Sequence, residues 1–303
     1  MKNIIEFYYN IRVDTLHSKD DYYSFNLDNI EYIFKPYYKK EVIANSMYRL
    51  SSILSDRINI DNVIPNKYNS PITKVDNTSY ILLRNRSKNT LSLPIISNIS
   101  NTSINNTNFI KDLERNNWEI LWGDKIDYYE MHVGENYKKY PLIRESFDYF
   151  VGMGETAIGY LVNTKSEVKK TFSDNKVISH NNLYNSLFDP SNMILDHKAR
   201  DVAEYIKYSF WNNNKNIFKE LDEYFKHNFY SPYGIRILFS RILYPSFYFD
   251  MYDDIVSGKK EEKELNNIIN RINEYEFFLY NIFLYLRKYY NIPEVSWIKK
   301  IRN

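Results

Sequence analysis

The stretch VISHNNLYNSLFDPSNMILDHKARDVAEYI, Val177–Ile206, holds most of the chemistry this sequence offers. It opens on a short apolar strand running into Ser179-His180. A polar loop follows, then Met193-Ile194-Leu195 as a second short strand ending in Asp196. Arg200-Asp201 opens a helix carrying Val202, Tyr205, Ile206 and Phe210 at helical spacing. Taken alone, His180 reads as a hydrogen-bonded structural histidine, and Asp201 as a helix N-cap.

Taken together, a loop between two short strands with an Asp at the second strand's end matches the way kinase-like enzymes place a proton acceptor and a magnesium ligand. Far upstream, Tyr32-Ile33-Phe34-Lys35 ends a strand on a lysine, and Glu41 starts the next helix. A strand lysine facing a helix carboxylate is the ion pair that holds nucleotide phosphates in kinases. The phosphate-covering side is poorer. No glycine precedes Gly123, so no loop in the first part of the chain can bring backbone N–H groups close to phosphate. Gly152-Met153-Gly154 has the look of a dinucleotide motif, but it lacks a preceding strand and reads as helix-packing glycine.

The first hundred residues read as strands with one helix. Ile4–Val13, Tyr22–Leu27 and Ile30–Pro36 are strand candidates separated by polar clusters, among them Asp28–Asn29. Lys40–Leu54 is helical by spacing, and Ile72–Val75 and Tyr80–Leu83 form a further pair around an Asp76-Asn77 turn. Residues 84–108 are rich in Ser, Asn and Thr, contain Pro94 and show no helical period. From Phe109 the pattern turns helical. Trp118, Leu121, Trp122, Ile126 and Tyr129 share one face, and Phe147 to Leu161 mark a second helix. Ser231-Pro232 caps another, and Leu265 to Leu286 hold a stripe for six turns. The expected division is a β-rich lobe over 1–85, a polar connection over 86–108 and a helical lobe over 109–303. That is an α+β, two-lobed chain.

Composition narrows the function. The chain has 303 residues, with 40 Lys and Arg against 38 Asp and Glu. That balance argues against a nucleic-acid binder held by a broad basic face. The lack of cysteine removes disulfides, thiolate metal sites and a cysteine nucleophile. The five histidines form no HExxH pair. No signal peptide or membrane span can be drawn, so a cytoplasmic, non-secreted product is expected. The 38 Asn and 30 Tyr read mainly as drift toward AT-rich codons. The Asn-x-Ser/Thr matches at Asn77, Asn98, Asn101 and Asn105 read as chance in so Asn-rich a chain.

LWGDKIDYYE (Leu121–Glu130), FDYFVGMGETAIGYLVNT (Phe147–Thr164) and DHKARDVAEYIKYSFW (Asp196–Trp211) resemble segments of the spore coat proteins of the CotS/YutH type, with YIFKPY (Tyr32–Tyr37) as a smaller echo. The YutH branch is the closer match. The resemblance implies the two-lobed fold of aminoglycoside and choline phosphotransferases, within the protein-kinase-like superfamily. It also implies synthesis in the mother cell of a spore former and a place among other spore coat proteins.

Active members of that superfamily carry His-Gly-Asp-Leu-His-x-x-Asn in the catalytic loop. The match here is His180-Asn181-Asn182-Leu183-Tyr184-Asn185-Ser186-Leu187, which sets Asn182 at the base position and Leu187 at a metal-ligand position. A neutral amide cannot accept a proton as a carboxylate does, and leucine offers magnesium no oxygen. The second metal position stays open between Asp196, by strand-end logic, and Asn192, by spacing back from Asp201. By the resemblance, Lys35 is compatible with the phosphate-pairing lysine, and Asp201 is similar to the Asp that braces the loop. The expectation is a pseudokinase needing no cofactor. The alternative is an active ATP-dependent phosphotransferase with a degenerate loop, using ATP and magnesium held by Asp196.

Overall fold

The computed structural model describes residues 1–19, 21–85, 90–102, 108–115, 117–136, 138–184 and 187–299. In chain order the elements are α1 (Lys2–Tyr9), β1 (His17–Ser18), β2 (Tyr23–Leu27), β3 (Ile30–Pro36), α2 (Glu41–Ser55), β4 (Asn62–Ile64), β5 (Thr73–Val75), β6 (Thr78–Arg84) and α3 (Leu93–Ser100). They continue with α4 (Trp118–Asn136), α5 (Pro141–Glu167), β7 (Lys176–His180), β8 (Met193–His197), α6 (Ala199–Trp211), α7 (Ile217–His227) and α8 (Pro232–Leu243). The chain closes with α9 (Ser246–Val256), α10 (Asn266–Ile269), α11 (Ile272–Arg287) and α12 (Ser296–Lys299). These fall into two compact units, each made of two chain segments. One is Met1–Arg115 with Lys176–Asp196. The other is Asn116–Asn175 with His197–Asn303.

The first unit is built on a sheet of order β1-β2-β3-β6-β4, with β5 also paired to β6. The β2–β3 hairpin turns on Asp28 and Asn29, both with positive φ (51° and 62°). That is the backbone a two-residue hairpin turn demands and that Asp and Asn tolerate. Antiparallel pairing sets Phe34 opposite Leu82 and Lys35 opposite Ile81. Side chains alternate across a strand, so the two faces bury different sets. Phe25, Phe34 and Leu82 pack with Ile5, Tyr9 and Val13. Ile81, Leu83 and Val63 pack with Ala44 and Met47 of α2. Lys35, two residues from Ile33, belongs to the α2 face.

Three expectations change in this unit. Ile4–Val13 is not a strand. Residues 2–9 form α1, because the buried positions are Ile5 and Tyr9, four apart on one helical face, and Asn10 ends the helix in the left-handed region. The polar connection expected over 86–108 contains a helix. In α3, Leu93, Ile96 and Ile99 recur every three residues and are buried, and Pro94 sits in the first turn, where it is tolerated. Residues 86–89 and 103–107, including the sequon at Asn105, lie outside the described residues. The division also falls elsewhere than at 85 and 108, because Lys176–Asp196 belongs with the first unit. The backbone N–H of Arg115 donates to Leu195 O (2.8 Å), that of Asp61 to Phe188 O (3.0 Å), and Lys176 pairs with Glu114 (2.6 Å).

The second unit is helical. Its core takes up much of the tyrosine excess: Tyr129, Tyr230, Tyr233, Tyr248, Tyr252 and Tyr275 are nearly fully buried. Stacked rings join its helices, with Trp122 of α4 on Tyr244 at 4.4 Å and Phe150 of α5 on Tyr248 of α9 at 3.8 Å. Gly154 of α5 lets α4 come close, since a Cβ there would stand 2.8 Å from Ile126 Cδ1. Glu204 and Lys207 of α6 meet at 3.0 Å, and Arg241 of α8 reaches Glu204 at 3.0 Å. Lys207 also donates to Ser246 (2.6 Å).

The single six-turn helix expected from Leu265 is broken into α10 and α11. Arg271, between them, has left helical geometry (φ −109°, ψ 8°). Its guanidinium donates to the carbonyls of Trp211 (3.3 Å) and Phe210 (3.4 Å) at the end of α6. Those are carbonyls a helix terminus leaves without partners. No helix among the described residues is long and apolar enough to cross a membrane.

Candidate functional site

β7 and β8 pair as a two-stranded sheet, and the loop between them is braced from within. His180, 1% exposed, lies 2.8 Å through Nε2 from the carbonyl of Leu187. A carbonyl only accepts, so this nitrogen carries the proton. Asn181 N–H donates to Asn192 O (2.8 Å). The side chain of Asn192 holds the backbone of Asn182 on both sides. Its oxygen accepts from Asn182 N–H (2.9 Å) and its amide donates to Asn182 O. The Asn182 side-chain oxygen in turn accepts from Tyr184 N–H (3.0 Å), closing a local turn. Leu183 and Leu187 are buried. Asn185 and Ser186, also matched to the loop motif, lie outside the described residues.

Each expected site residue can now be placed. Lys35 forms an ion pair, and its partner is Asp189 rather than Glu41. Glu41 stands exposed in the first turn of α2 and meets Lys74 at 3.6 Å. In the first turn of α2 the N-terminal dipole favours the Glu41 charge, whereas Lys35 follows its strand toward the β7–β8 loop. Asn192 is committed to loop backbone. Asp196 is buried at the end of β8 (4% exposed). Asp201 sits in the first turn of α6, in the other unit. It raises the hydroxyl pKa of Tyr224 and Tyr230, secondary to their burial.

The residue that sequence reading missed is Asp189. It is 4% exposed, bonds Lys35 with one oxygen and accepts from Ser191 N–H with the other (2.8 Å), capping the short turn Pro190–Asn192. Lys39 Nζ donates to Ser191 O (2.7 Å) in the same turn. Burial lowers the pKa of Lys39, as does the nearby Arg115 cation. Burial and the Asp189 charge together raise that of Tyr37. The signals were present but separated. Lys35, Tyr37 and Lys39 alternate along the chain, and Asp189-Pro190 is a cap followed by a first-turn proline.

The described part of the loop is braced by its own hydrogen bonds and latched to a strand lysine. Among the described residues, no group of three or more His, Asp and Glu could hold a metal. Asp189 and Asp196 are buried carboxylates of the β7–β8 region, and Asn182, between them and His180 in sequence, carries a neutral amide.

An antiparallel sheet carrying the lysine, a strand-loop-strand packed on it and a helical remainder define an aminoglycoside phosphotransferase-like fold of mixed α+β class. Solved structures agree. An aminoglycoside phosphotransferase from Alicyclobacillus acidocaldarius matches with a TM-score of 0.64 at 10% identity, over 95% of this chain and 97% of that one. Spectinomycin phosphotransferase APH(9)-Ia, solved with ADP and spectinomycin, matches with a TM-score of 0.58 at 12% identity, over 98% and 95%. At these identities the likeness is one of fold alone.

Within that class, the chain belongs to the family described as spore coat putative kinase YutH, whose model matches residues 2–282. The endospore coat-associated protein YutH of Bacillus subtilis (strain 168) is 31% identical over 208 residues. The match covers 60% of this chain and 61% of that relative, so it spans less than two thirds of the relative's length.

Proposed function

We propose that this chain is a pseudokinase of the spore coat: it keeps the kinase-like fold, lacks phosphotransfer and acts in coat assembly through contacts with other coat proteins. The observation that carries this reading is the state of the β7–β8 loop. Asn182 stands where a proton acceptor is needed, and its amide oxygen is engaged in the loop's own turn. A missing base alone costs about 10²–10⁴-fold in rate. The coat association of the Bacillus relative supports the location, with synthesis in the mother cell. Neither ATP nor magnesium has a role in this reading.

The Lys35–Asp189 pair favours a second reading, an active ATP-dependent phosphotransferase of a small molecule or coat protein. A strand lysine beside a buried carboxylate is what kinases use at phosphate and metal. In that reading Lys35 would meet the phosphates, Asp189 or Asp196 would face magnesium, and Glu41 would take no part.

A magnesium-dependent ATP thermal-shift titration, run with an assay for ADP formation in the presence of spore coat protein and small-molecule extracts as acceptors, separates the two. The pseudokinase reading expects no magnesium-dependent turnover, and the same result from Asp189→Ala and Asp196→Ala. Turnover that either substitution abolishes overturns it.

A further inference from the structure

The helical unit holds a cavity of about 600 Å³ with no part in the site described above. It is open to solvent, and it is lined by Tyr149, Gly152, Met153 and Thr156 of α5, Asn273 and Glu276 of α11, and Trp297 of α12. The volume lies within the range of small-molecule sites. Its chemistry is one-sided. Glu276 is the charged side chain among these residues, and no lysine or arginine lines the cavity among the described residues. The formal charge that lines it is negative, which disfavours an anion.

We infer that this cavity binds a primary alkylammonium ligand of the polyamine class. An ammonium head carries three donors and no acceptor. Glu276 uses one carboxylate oxygen to accept from Tyr149 OH and keeps the other for a ligand. Asn273 brings an amide oxygen. The Thr156 hydroxyl gives its proton to Gly152 O (2.8 Å), so its oxygen faces a ligand as an acceptor. The lining thus offers acceptors from Glu276, Asn273 and Thr156 to the donors of an ammonium head. The rings of Tyr149 and Trp297 add two π-surfaces, which favour a cation over a neutral polyol. Burial and the Glu276 carboxylate raise the pKa of Tyr149, which keeps its hydroxyl a donor to that carboxylate. Gly152 leaves room for the alkyl chain, since no atom lies within 4 Å of the place a Cβ would take.

Titration calorimetry of the full chain with spermidine tests this, with glycerol and inorganic phosphate as controls. Saturable spermidine binding is expected, with neither control binding. Glu276→Gln should weaken it about tenfold or more, the worth of a hydrogen bond to a charged group. Gly152→Leu should weaken binding at least tenfold by taking the space beside Glu276 and Tyr149, and the helical backbone there accepts leucine, so folding is kept. No spermidine binding by the unaltered chain overturns the inference. So do equal binding of phosphate or glycerol, and full binding by a folded Gly152→Leu protein.

Discussion

Asp189 does two jobs with two oxygens, pairing Lys35 and capping its own turn. Replacing it with Asn keeps the cap geometry and removes the charge that Lys35 faces. Asp189→Asn should therefore lower stability by about 1–3 kcal/mol, the usual cost of stripping a charged hydrogen-bond partner from a mostly buried site. Chemical denaturation reads this directly. Two carboxylates in the helical unit make stability depend on pH in acid. Burial pushes the Glu204 carboxyl upward, but Lys207 and Arg241 outweigh it and hold it at about 2, against 4.5 in an unfolded chain. Burial also opposes ionisation of Asp174, and hydrogen bonds from His197, Ser231 and Thr171 overcome it, leaving its pKa well below the usual range. Both groups release protons more readily when folded. Their contribution is complete above about pH 4.5 and is lost as pH falls, for Glu204 through about 2 and for Asp174 lower still. Glu204→Gln should flatten the slope of the denaturation midpoint against pH across that window.

At the scale of elements, what the sequence disclosed depended on how local the cause was. The β2–β3 turn, the helical stripe of α5 and the Ser231 cap follow from residues a few positions apart, and all were readable. The Ser231 hydroxyl accepts from Gly234 N–H (2.9 Å) as a cap should. Its bond to Asp174 (2.6 Å), 57 residues away, was invisible. Ser231→Ala loses both and should cost about 2 kcal/mol, at the upper end for a cap. Helix α1 was misread because Ile, Phe and Tyr favour strands in general, while the spacing of Ile5 and Tyr9 decided the matter. The Lys35–Asp189 pair spans 154 residues, and no local pattern announces such a contact. Gly152 and Gly154 of α5 read as packing residues, and of the two Gly154 is one while Gly152 meets nothing within 4 Å. Gly159 meets nothing within 4 Å, whereas Gly154 faces Ile126. Gly159→Ala should raise stability by about 1 kcal/mol through helix propensity. Gly154→Leu should lower it by about 1–3 kcal/mol through overpacking. Thermal unfolding of the pair distinguishes them by sign.

For the molecule as a whole, the kinase-like class was legible from a few ordered motifs, and the partition of the chain was not. The segment Lys176–Asp196 supplies the sheet-bearing unit with partners for Lys35, Asp61 N–H, Arg115 N–H and Glu114. A fragment of residues 1–115 leaves those groups without them. It should show weak, non-cooperative thermal unfolding by circular dichroism, and a peptide of residues 176–196 added in trans should sharpen the transition. A cooperative transition in the fragment alone would argue that the inserted strands are dispensable.

That discontinuity bears on how the chain is made. Sixty residues, Asn116 to Asn175, separate the two segments of the sheet-bearing unit. At roughly 5–20 residues per second, a ribosome needs about 3–12 s to translate them. Throughout that interval the emerged β-sheet waits for Asp189, with Lys35 exposed to water, while α4 and α5 are already being laid down. The sheet-bearing unit is therefore begun first but cannot close until the chain has been made as far as Asp196.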